Sequence, residues 1–210
     1  MAYRIVVVGT SWGGLHALTV LMRGLPADFA LPLAIVQHRS KDSDGLLAQL
    51  LQDETALRVC EVEDKEPIEA GHVYVAPPDY HLLVDGAHFS LTVDPPVRFS
   101  RPSIDVTFIS AASACGAGTV GVVLTGANED GALGLRRIAE RGGHALVQDP
   151  ATAEVATMPA AARRAVPSAA VLRLEDIAGY LMELTAPARH APALHAPGRQ
   201  AAPGRAGRRS

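Results

Sequence analysis

Three loops carry a serine, a histidine and an aspartate whose side chains could together cleave an ester or an amide. Ser11 lies in residues 9–14, whose G-x-S-x-G spacing exposes a serine hydroxyl on a tight turn between a strand and a helix. His38 ends a second apolar run, and a neutral imidazole is the natural base for a hydroxyl. Asp130 follows a third run and could orient that imidazole and stabilise its charged form. The residue types predict nucleophilic acyl transfer.

Each loop also has a simpler interpretation. Ser11 could only cap the following helix, and the glycine-rich loop could cradle a phosphate, although it lacks both the G-x-G-x-x-G pattern and the lysine of a P-loop. His38 could be a hydrogen-bonded residue at a strand end. Asp130 could offset a helix dipole, or hold a divalent cation together with Asn128 and Glu129. No single loop decides between these alternatives.

The elements that must position these loops have the pattern of an α/β fold. Six apolar runs have the composition of buried strands: residues 4–9, 33–37, 57–62, 72–76, 119–124 and 145–148. Helical segments between them favour a doubly wound, mostly parallel sheet with helices on both faces, a Rossmann-like three-layer arrangement. Asp85-Gly86, between two short strands, predicts a β-hairpin. Ligand sites in such sheets lie beyond the carboxyl ends of the strands, so we expect the three loops to meet at one edge.

Composition excludes several classes of protein. The chain has 210 residues, of which 48% are hydrophobic and 20% charged, which is too hydrophobic for general disorder. No apolar run approaches the roughly 20 residues needed to span a bilayer, so we expect no membrane insertion. Cys60 and Cys115 form no spaced metal pattern and suit a reducing cytoplasm.

Charge is unevenly distributed along the chain. Residues 186–210 contain five arginines and no acid, so residues 1–185 hold 14 basic and 22 acidic side chains, a net charge of −8. The Ala-, Pro- and Arg-rich segment has little to bury, and we expect a folded domain over residues 1–185 followed by a disordered tail. The acidic body argues against nucleic acid as a partner, because affinity for phosphate backbones comes mostly from basic surface. The tail could offset repulsion between this body and an acidic partner.

Five segments resemble, in order and spacing, the catalytic domain of chemotaxis protein-glutamate methylesterases (CheB). They are V-G-T-S-W-G-G at 8–14, I-V-Q-H at 35–38, V-Y-V-A-P-P-D-Y-H at 73–81, R-P-S-I-D-V at 101–106 and G-V-V-L-T-G-A-N-E-D-G-A at 121–132. The likeness covers about residues 3–184. Members of that family remove methyl groups from glutamyl γ-methyl esters on chemoreceptor helices, releasing methanol, and often deamidate receptor glutamines. The resemblance implies a cytoplasmic enzyme whose partners are methylated chemoreceptor helices or related signalling proteins.

The resemblance also implies roles for particular residues. Ser11 would be the nucleophile, His38 the base and Asp130 the acid that fixes the tautomer of His38, and no metal or organic cofactor is needed. Backbone N–H groups near Trp12, Gly13 and Ala127 are candidate oxyanion donors, and Ala127 matches a family position with that role. Arg101 could face the substrate and pair with receptor carboxylates; alternatively, its loop only begins a helix that Ser103 caps.

The chain departs from the family pattern in three loops. Arg39-Ser40 stands where the family more often has Met-Pro. Trp12 stands where most members have threonine, and Asn128-Glu129 adds a negative charge beside Asp130. These departures leave open a second function, a catalytically impaired or repurposed module of the same fold that binds a signalling partner. A nucleotide-binding fold that uses residues 9–14 is a third. Many members also begin with a receiver domain, whereas here the likeness begins at residue 3, so we expect a stand-alone esterase domain.

Overall fold

The computed structural model describes residues 4–43 and 45–185, so the predicted tail at 186–210 lies outside the described residues. The elements in these residues are β1 (Ile5–Thr10), α1 (Gly14–Gly24), β2 (Leu33–Gln37), α2 (Leu46–Gln52), β3 (Arg58–Glu61), β4 (His72–Val75), β5 (His81–Asp85), β6 (His88–Thr92), α3 (Ile104–Cys115), β7 (Thr119–Val123), α4 (Ala132–Glu140), β8 (His144–Gln148), α5 (Thr157–Ala165), β9 (Ala170–Leu172) and α6 (Ile177–Thr185).

The main sheet has seven strands in the order β3-β4-β2-β1-β7-β8-β9, and each neighbouring pair is parallel. Strands β5 and β6 form a separate antiparallel hairpin around Asp85-Gly86. The predicted mostly parallel α/β sheet with a β-hairpin is confirmed. Strand β9 was not predicted, because three half-buried residues are too few to show a periodicity.

Both faces of the sheet are covered, as predicted. In β1, Val6 and Val8 belong to the core that packs on α1, α2 and α6, whereas Ile5 and Val7 belong to the core on the side of α3, α4 and α5. This burial on both faces explains why the strands are almost continuously apolar rather than alternating. Among the described residues, no helix is both long and apolar enough to cross a bilayer.

A glycine sets the start of two helices. Helix α4 begins at Ala132, and α2 begins at Leu46. In each case a glycine with positive φ precedes the helix, Gly131 at 93° and Gly45 at 69°. Glycine adopts this left-handed backbone without steric cost, and a helix cannot extend back through it. Asp130 therefore lies in a loop and not in a helix.

The sheet order places a crevice at the end of β1. From β1 the chain first builds outward through β2 and β4, and it later returns to the other side of β1 with β7. Such a switch point leaves a crevice at the carboxyl ends of the central strands. Ser11 directly follows β1, His38 directly follows β2, and Asp130 lies in the loop after β7. The three predicted residues lie at one edge of the sheet.

Candidate active site

The backbone of Ser11 is held from two sides. Its N–H donates to the carbonyl of Thr125 (3.0 Å), and its carbonyl accepts from the N–H of Gly14 (2.9 Å) and from Gln37 Nε2 (2.8 Å). Helix α1 begins at Gly14, with Gly13 as its N-cap at φ +77° and no side-chain cap. The alternative in which Ser11 caps this helix is therefore wrong. No described residue forms a hydrogen bond with Ser11 Oγ, which leaves the hydroxyl available for chemistry.

The imidazole of His38 is oriented by Asp130. His38 Nε2 lies 2.8 Å from Asp130 Oδ2, and 11% of the His38 side chain is exposed. Because a carboxylate can only accept, we assign the ring proton to Nε2, which leaves Nδ1 as the basic nitrogen. Asn128 Nδ2 lies 3.4 Å from Nδ1, a long contact that a serine hydroxyl could replace. The alternative of His38 as an ordinary surface residue does not fit this pairing.

Asp130 is fully buried and saturated with donors. Its Oδ2 also accepts from the N–H of Ile104 (2.7 Å), and its Oδ1 accepts from Ser103 Oγ and from the N–H of Asp105, each at 3.0 Å. Burial by itself would raise the pKa of this carboxyl, but the hydrogen bond from His38 and those from the backbone outweigh burial and hold the pKa below its ordinary value. Asp130 is therefore ionised at neutral pH and can stabilise a protonated His38.

Ser11 and His38 line the same cavity, of about 910 Å³. Helices α1 and α2 supply its apolar wall, which includes the half-exposed side chains of Leu15 and Leu46. Trp12 stands at the rim with 66% of its surface exposed, and its indole Nε1 donates to Glu154 Oε1 (3.1 Å). The cavity has the size of a small-molecule or side-chain pocket.

Arg101 lies on the other side of His38, in a second cavity of about 300 Å³. Its guanidinium donates twice to Asp79 Oδ1, from Nη2 at 2.6 Å and Nε at 3.0 Å, and Nη1 donates to the carbonyls of Val93 and Asp94. These bonds fix the loop that precedes α3. Arg101 could pair with a substrate carboxylate, as predicted, only by giving up some of these bonds.

Three backbone N–H groups near the serine have no acceptor among the described residues: those of Trp12, Gly13 and Ala127. A Cβ placed on Gly126 would lie 3.0 Å from Ser11 Cβ, so the peptide that joins Gly126 to Ala127 runs beside the nucleophile. Free N–H groups next to a serine are what an oxyanion hole requires.

The carboxylate of Glu129 pairs with two arginines and not with His38. Glu129 Oε1 lies 3.1 Å from Arg164 Nη2, and Oε2 lies 3.9 Å from Arg98 Nη1. Within residues 4–43 and 45–185 no group of three or more His, Cys, Asp or Glu side chains is arranged to hold a metal ion. The carboxylate of Asp130, which a cation in this loop would need, is occupied by hydrogen-bond donors.

Sequence reasoning missed most of the residues that support Asp130. The alternative in which Ser103 caps α3 through its side chain is wrong, because its hydroxyl donates to Asp130 and makes no cap bond. Asp105 lies in the first turn of α3, and its Oδ1 accepts from the N–H groups of Gly131 and Gly134. The sequence indicates these contacts only through the polar R-P-S-I-D segment before an apolar helix, and that segment does not show that Asp130 is the partner.

A serine and a histidine–aspartate pair at the carboxyl edge of a parallel sheet are typical of the serine hydrolases as a class. Comparison with known proteins specifies the class further: the chain matches the family model described as CheB methylesterase over residues 6–181, and it belongs to that family. The crystal structure of the Thermotoga maritima CheB methylesterase catalytic domain superposes with a TM-score of 0.84 at 32% identity, covering 88% of this chain and all of that one.

Some relatives have about the length of this chain and others are about twice as long. A protein of Leptospira interrogans, provisionally named a protein-glutamate methylesterase/protein-glutamine glutaminase, is 46% identical over 185 residues, which are 88% of this chain and 96% of that protein. Protein-glutamate methylesterase/protein-glutamine glutaminase 2 of Anaeromyxobacter dehalogenans is 42% identical over 181 residues, 86% of this chain but 53% of that protein. The chain thus spans nearly all of the first relative and about half of the second.

Proposed function

We propose that this protein is a serine hydrolase that removes methyl groups from glutamyl γ-methyl esters of chemoreceptor or related signalling proteins in the cytoplasm. The observation that carries the proposal is the 2.8 Å pair of His38 Nε2 and the buried Asp130, which leaves Nδ1 as the basic nitrogen of a histidine that lines the same cavity as Ser11. Membership of the CheB methylesterase family and the name of the Leptospira relative support the same activity. That name also supports deamidation of glutamine as a second reaction of the same site.

The reaction follows from the positions of the three side chains. Ser11 Oγ attacks the ester carbonyl carbon while His38 Nδ1 takes its proton, and Asp130 stabilises the resulting imidazolium. Free backbone N–H groups beside Ser11 stabilise the oxyanion of the tetrahedral intermediate. His38 returns the proton to the methoxide as the C–O bond breaks, which releases methanol and leaves an acyl-serine. Water, deprotonated by His38, then hydrolyses the acyl-serine to glutamate and free Ser11.

The cavity suits a side chain presented by another protein. It is open to solvent, it has an apolar wall from α1 and α2, and Trp12 stands at its rim. A methyl ester is uncharged, so it enters an apolar pocket at lower desolvation cost than the glutamate carboxylate that leaves it. The pocket therefore favours the ester over the product.

Methanol release from methylated receptor cytoplasmic fragments tests the proposal. We expect release by the wild type and a loss of about 10³-fold or more in Ser11→Ala. Ser113→Ala, which removes an exposed hydroxyl on α3, is the matched control and should release methanol at the wild-type rate. Equal release by Ser11→Ala and the wild type would contradict the proposal.

The second candidate function, a binding module, is favoured by the departure at Trp12. It predicts that the protein binds receptor fragments while Ser11 never reacts with a fluorophosphonate probe. Labelling of Ser11 by that probe would exclude the binding module.

A further inference from the structure

Gln37, the last residue of β2, joins the nucleophile loop to the base loop. Its Nε2 donates to the carbonyl of Ser11 and to the carbonyl of His38, both at 2.8 Å. Two carbonyl acceptors at the same atom identify it as the amide nitrogen. The parallel register that pairs Gln37 with Thr10 brings the side chain of one strand end to the backbone of the next. A single amide group therefore holds both loops.

The bond to the Ser11 carbonyl has a consequence for the neighbouring N–H. The Ser11 carbonyl and the Trp12 N–H belong to one peptide unit, and in a trans peptide these two groups point in opposite directions. The N–H of Gly14 also donates to this carbonyl, at 2.9 Å, and the two donors together direct the Trp12 N–H to the opposite side of the peptide. That N–H has no acceptor among the described residues, so it is free to meet a charge that develops at the nucleophile.

The other two free N–H groups near Ser11 are directed in the same way. The carbonyl of Trp12, in one peptide unit with the Gly13 N–H, accepts from Thr125 Oγ1 at 2.9 Å. The carbonyl of Gly126, in one unit with the Ala127 N–H, accepts from the N–H of Met158 at 2.9 Å. In each of these three peptide units the carbonyl accepts a hydrogen bond, and the N–H has no partner among the described residues. The unit that joins Ser11 to Trp12 is the one whose carbonyl accepts from a side-chain amide, that of Gln37.

The amide group of Gln37 also has a contact that lowers the stability of the fold. Its Oε1 is buried and has no hydrogen-bond partner among the described residues. A buried oxygen without a partner is unfavourable by about 1–3 kcal/mol. A Cβ on Gly14 would lie 1.9 Å from this oxygen, so the start of α1 has room for the amide only because residue 14 is glycine. A purely apolar side chain would avoid this cost but could not hold the two carbonyls.

We infer that Gln37 is a positioning residue that sets the Trp12 N–H as an oxyanion donor by holding the Ser11 carbonyl. This inference rests on the proposed serine chemistry and extends it to a residue that does not touch the substrate. Removal of an oxyanion donor typically costs about 10²–10³ in kcat, and a donor that is misdirected but present costs less. We expect a loss of about 10- to 100-fold in Gln37→Met, on the same basis.

The test compares isosteric variants at two glutamines. Gln52 provides the matched control, because its Nε2 also donates to two backbone carbonyls, those of Thr55 (3.2 Å) and Leu57 (3.0 Å), away from the cavity. Gln37→Met, Gln37→Glu and Gln52→Met are each reacted with an alkyl fluorophosphonate, whose adduct with Ser11 is tetrahedral. Turnover of a small methyl ester gives kcat and KM for the same proteins, and its pH profile is recorded.

We expect slower labelling and lower kcat in Gln37→Met, with unchanged KM and pH profile and with wild-type rates in Gln52→Met. Gln37→Glu should be slower still, since a carboxylate would face two carbonyl oxygens. Wild-type labelling of Gln37→Met would overturn the inference. A shifted pH profile would also overturn it, because that would place the effect on His38, whose carbonyl Gln37 also holds. If the wild type is labelled but releases no methanol from receptor fragments, the proposed substrate fails while the inference is still decided by the labelling rates.

Discussion

Asp130 and Asp105 cap each other's helices. The carboxylate of Asp130 accepts from the N–H groups of Ile104 (2.7 Å) and Asp105 (3.0 Å) at the start of α3, and Asp105 Oδ1 accepts from those of Gly131 (2.9 Å) and Gly134 (2.7 Å) at the start of α4. Each acid thus satisfies donors that begin the other's helix, and each gains from the positive end of that helix. The reciprocal caps fix the carboxylate that orients His38.

Asp105 should lower the stability of the protein at neutral pH. Burial first, and then the charge of Asp130, raises the pKa of Asp105 to about 6, and its Oδ2 has no hydrogen-bond partner among the described residues. The folded state therefore binds this proton more tightly than the unfolded chain, so this group's contribution to stability falls as the pH rises from about 4 to about 6. Asp105→Asn keeps an acceptor for Gly131 and Gly134 and removes the charge. We expect its Tm to exceed that of the wild type by about 2–5 °C at pH 7.5.

Calorimetry at two pH values checks this expectation. The gain should shrink at pH 4.5, where folded wild type holds the Asp105 proton, and vanish below the unfolded pKa of about 4. Asp94→Asn removes an exposed charge and should change Tm little at either pH. A Tm of Asp105→Asn below that of the wild type at pH 7.5 would show that the ionised carboxylate is the better cap.

Asp130→Asn should lose both activity and stability, whereas Ser11→Ala should lose only activity. An amide at residue 130 turns an N–H toward backbone N–H donors and favours the wrong tautomer of His38, which costs about 10⁴-fold in kcat where it has been measured in such triads. Ser11 Oγ makes no hydrogen bond with a described residue, so its removal should leave Tm within about 1 °C.

Two measurements on both variants separate these effects: thermal unfolding gives the stability, and methanol release gives the activity. Because the pKa of Asp130 is held below its ordinary value, its carboxylate stabilises the fold above the unfolded pKa of about 4, and this contribution is lost as the pH falls through the folded pKa. The Tm difference between wild type and Asp130→Asn should therefore shrink in acid. An unchanged difference would mean that the loss comes from packing and not from charge.

Ser103→Ala should reduce kcat moderately. The variant removes the hydroxyl that donates to Asp130 Oδ1 at 3.0 Å, while the backbone donors of α3 remain. Loss of one bond to a charged acceptor is worth about 1.5–3 kcal/mol, of which only the part felt by His38 appears in the rate, so we expect a fall of about 3- to 10-fold. Steady-state methanol release measures it against Ser113→Ala. A wild-type kcat in Ser103→Ala would restrict the hydroxyl to a structural role.

The side chain of Trp12 should contribute to substrate binding more than to chemistry. It stands exposed at the rim of the 910 Å³ cavity, with its indole N–H on Glu154. Trp12→Ala removes this apolar surface, and we expect KM for a receptor fragment to rise about tenfold, since a buried aromatic contact is worth about 1.5–3 kcal/mol. Trp12→Phe keeps the surface and should raise KM less than about threefold on the same scale.

Phe99→Ala is the control for Trp12. Phe99 is also exposed but borders the smaller cavity on the other side of His38, so its loss should leave KM unchanged. Kinetics of all three variants with one receptor fragment make the comparison. A larger KM effect from Phe99 than from Trp12 would move the substrate to the smaller cavity.

Much of the fold could be predicted from the sequence. Apolar runs long enough to be buried on both faces, separated by amphipathic helices, require a parallel sheet with helices on each side, and Asp85-Gly86 requires a hairpin turn. The end of each strand then places Ser11 and His38 at one edge, because parallel strands end on the same side. Their catalytic roles and that of Asp130 stay predictions, supported by the geometry.

The sequence by itself determined the local elements and the residue types at the strand ends. Only the tertiary structure decided which donors meet Asp130, which nitrogen of His38 remains basic, and that Gln37 holds the Ser11 peptide. These contacts join residues 25 to 92 positions apart, so no local pattern encodes them. Strand register and the start points of α3 and α4 bring these residues together, and this happens only when the whole sheet and its two layers of helices pack.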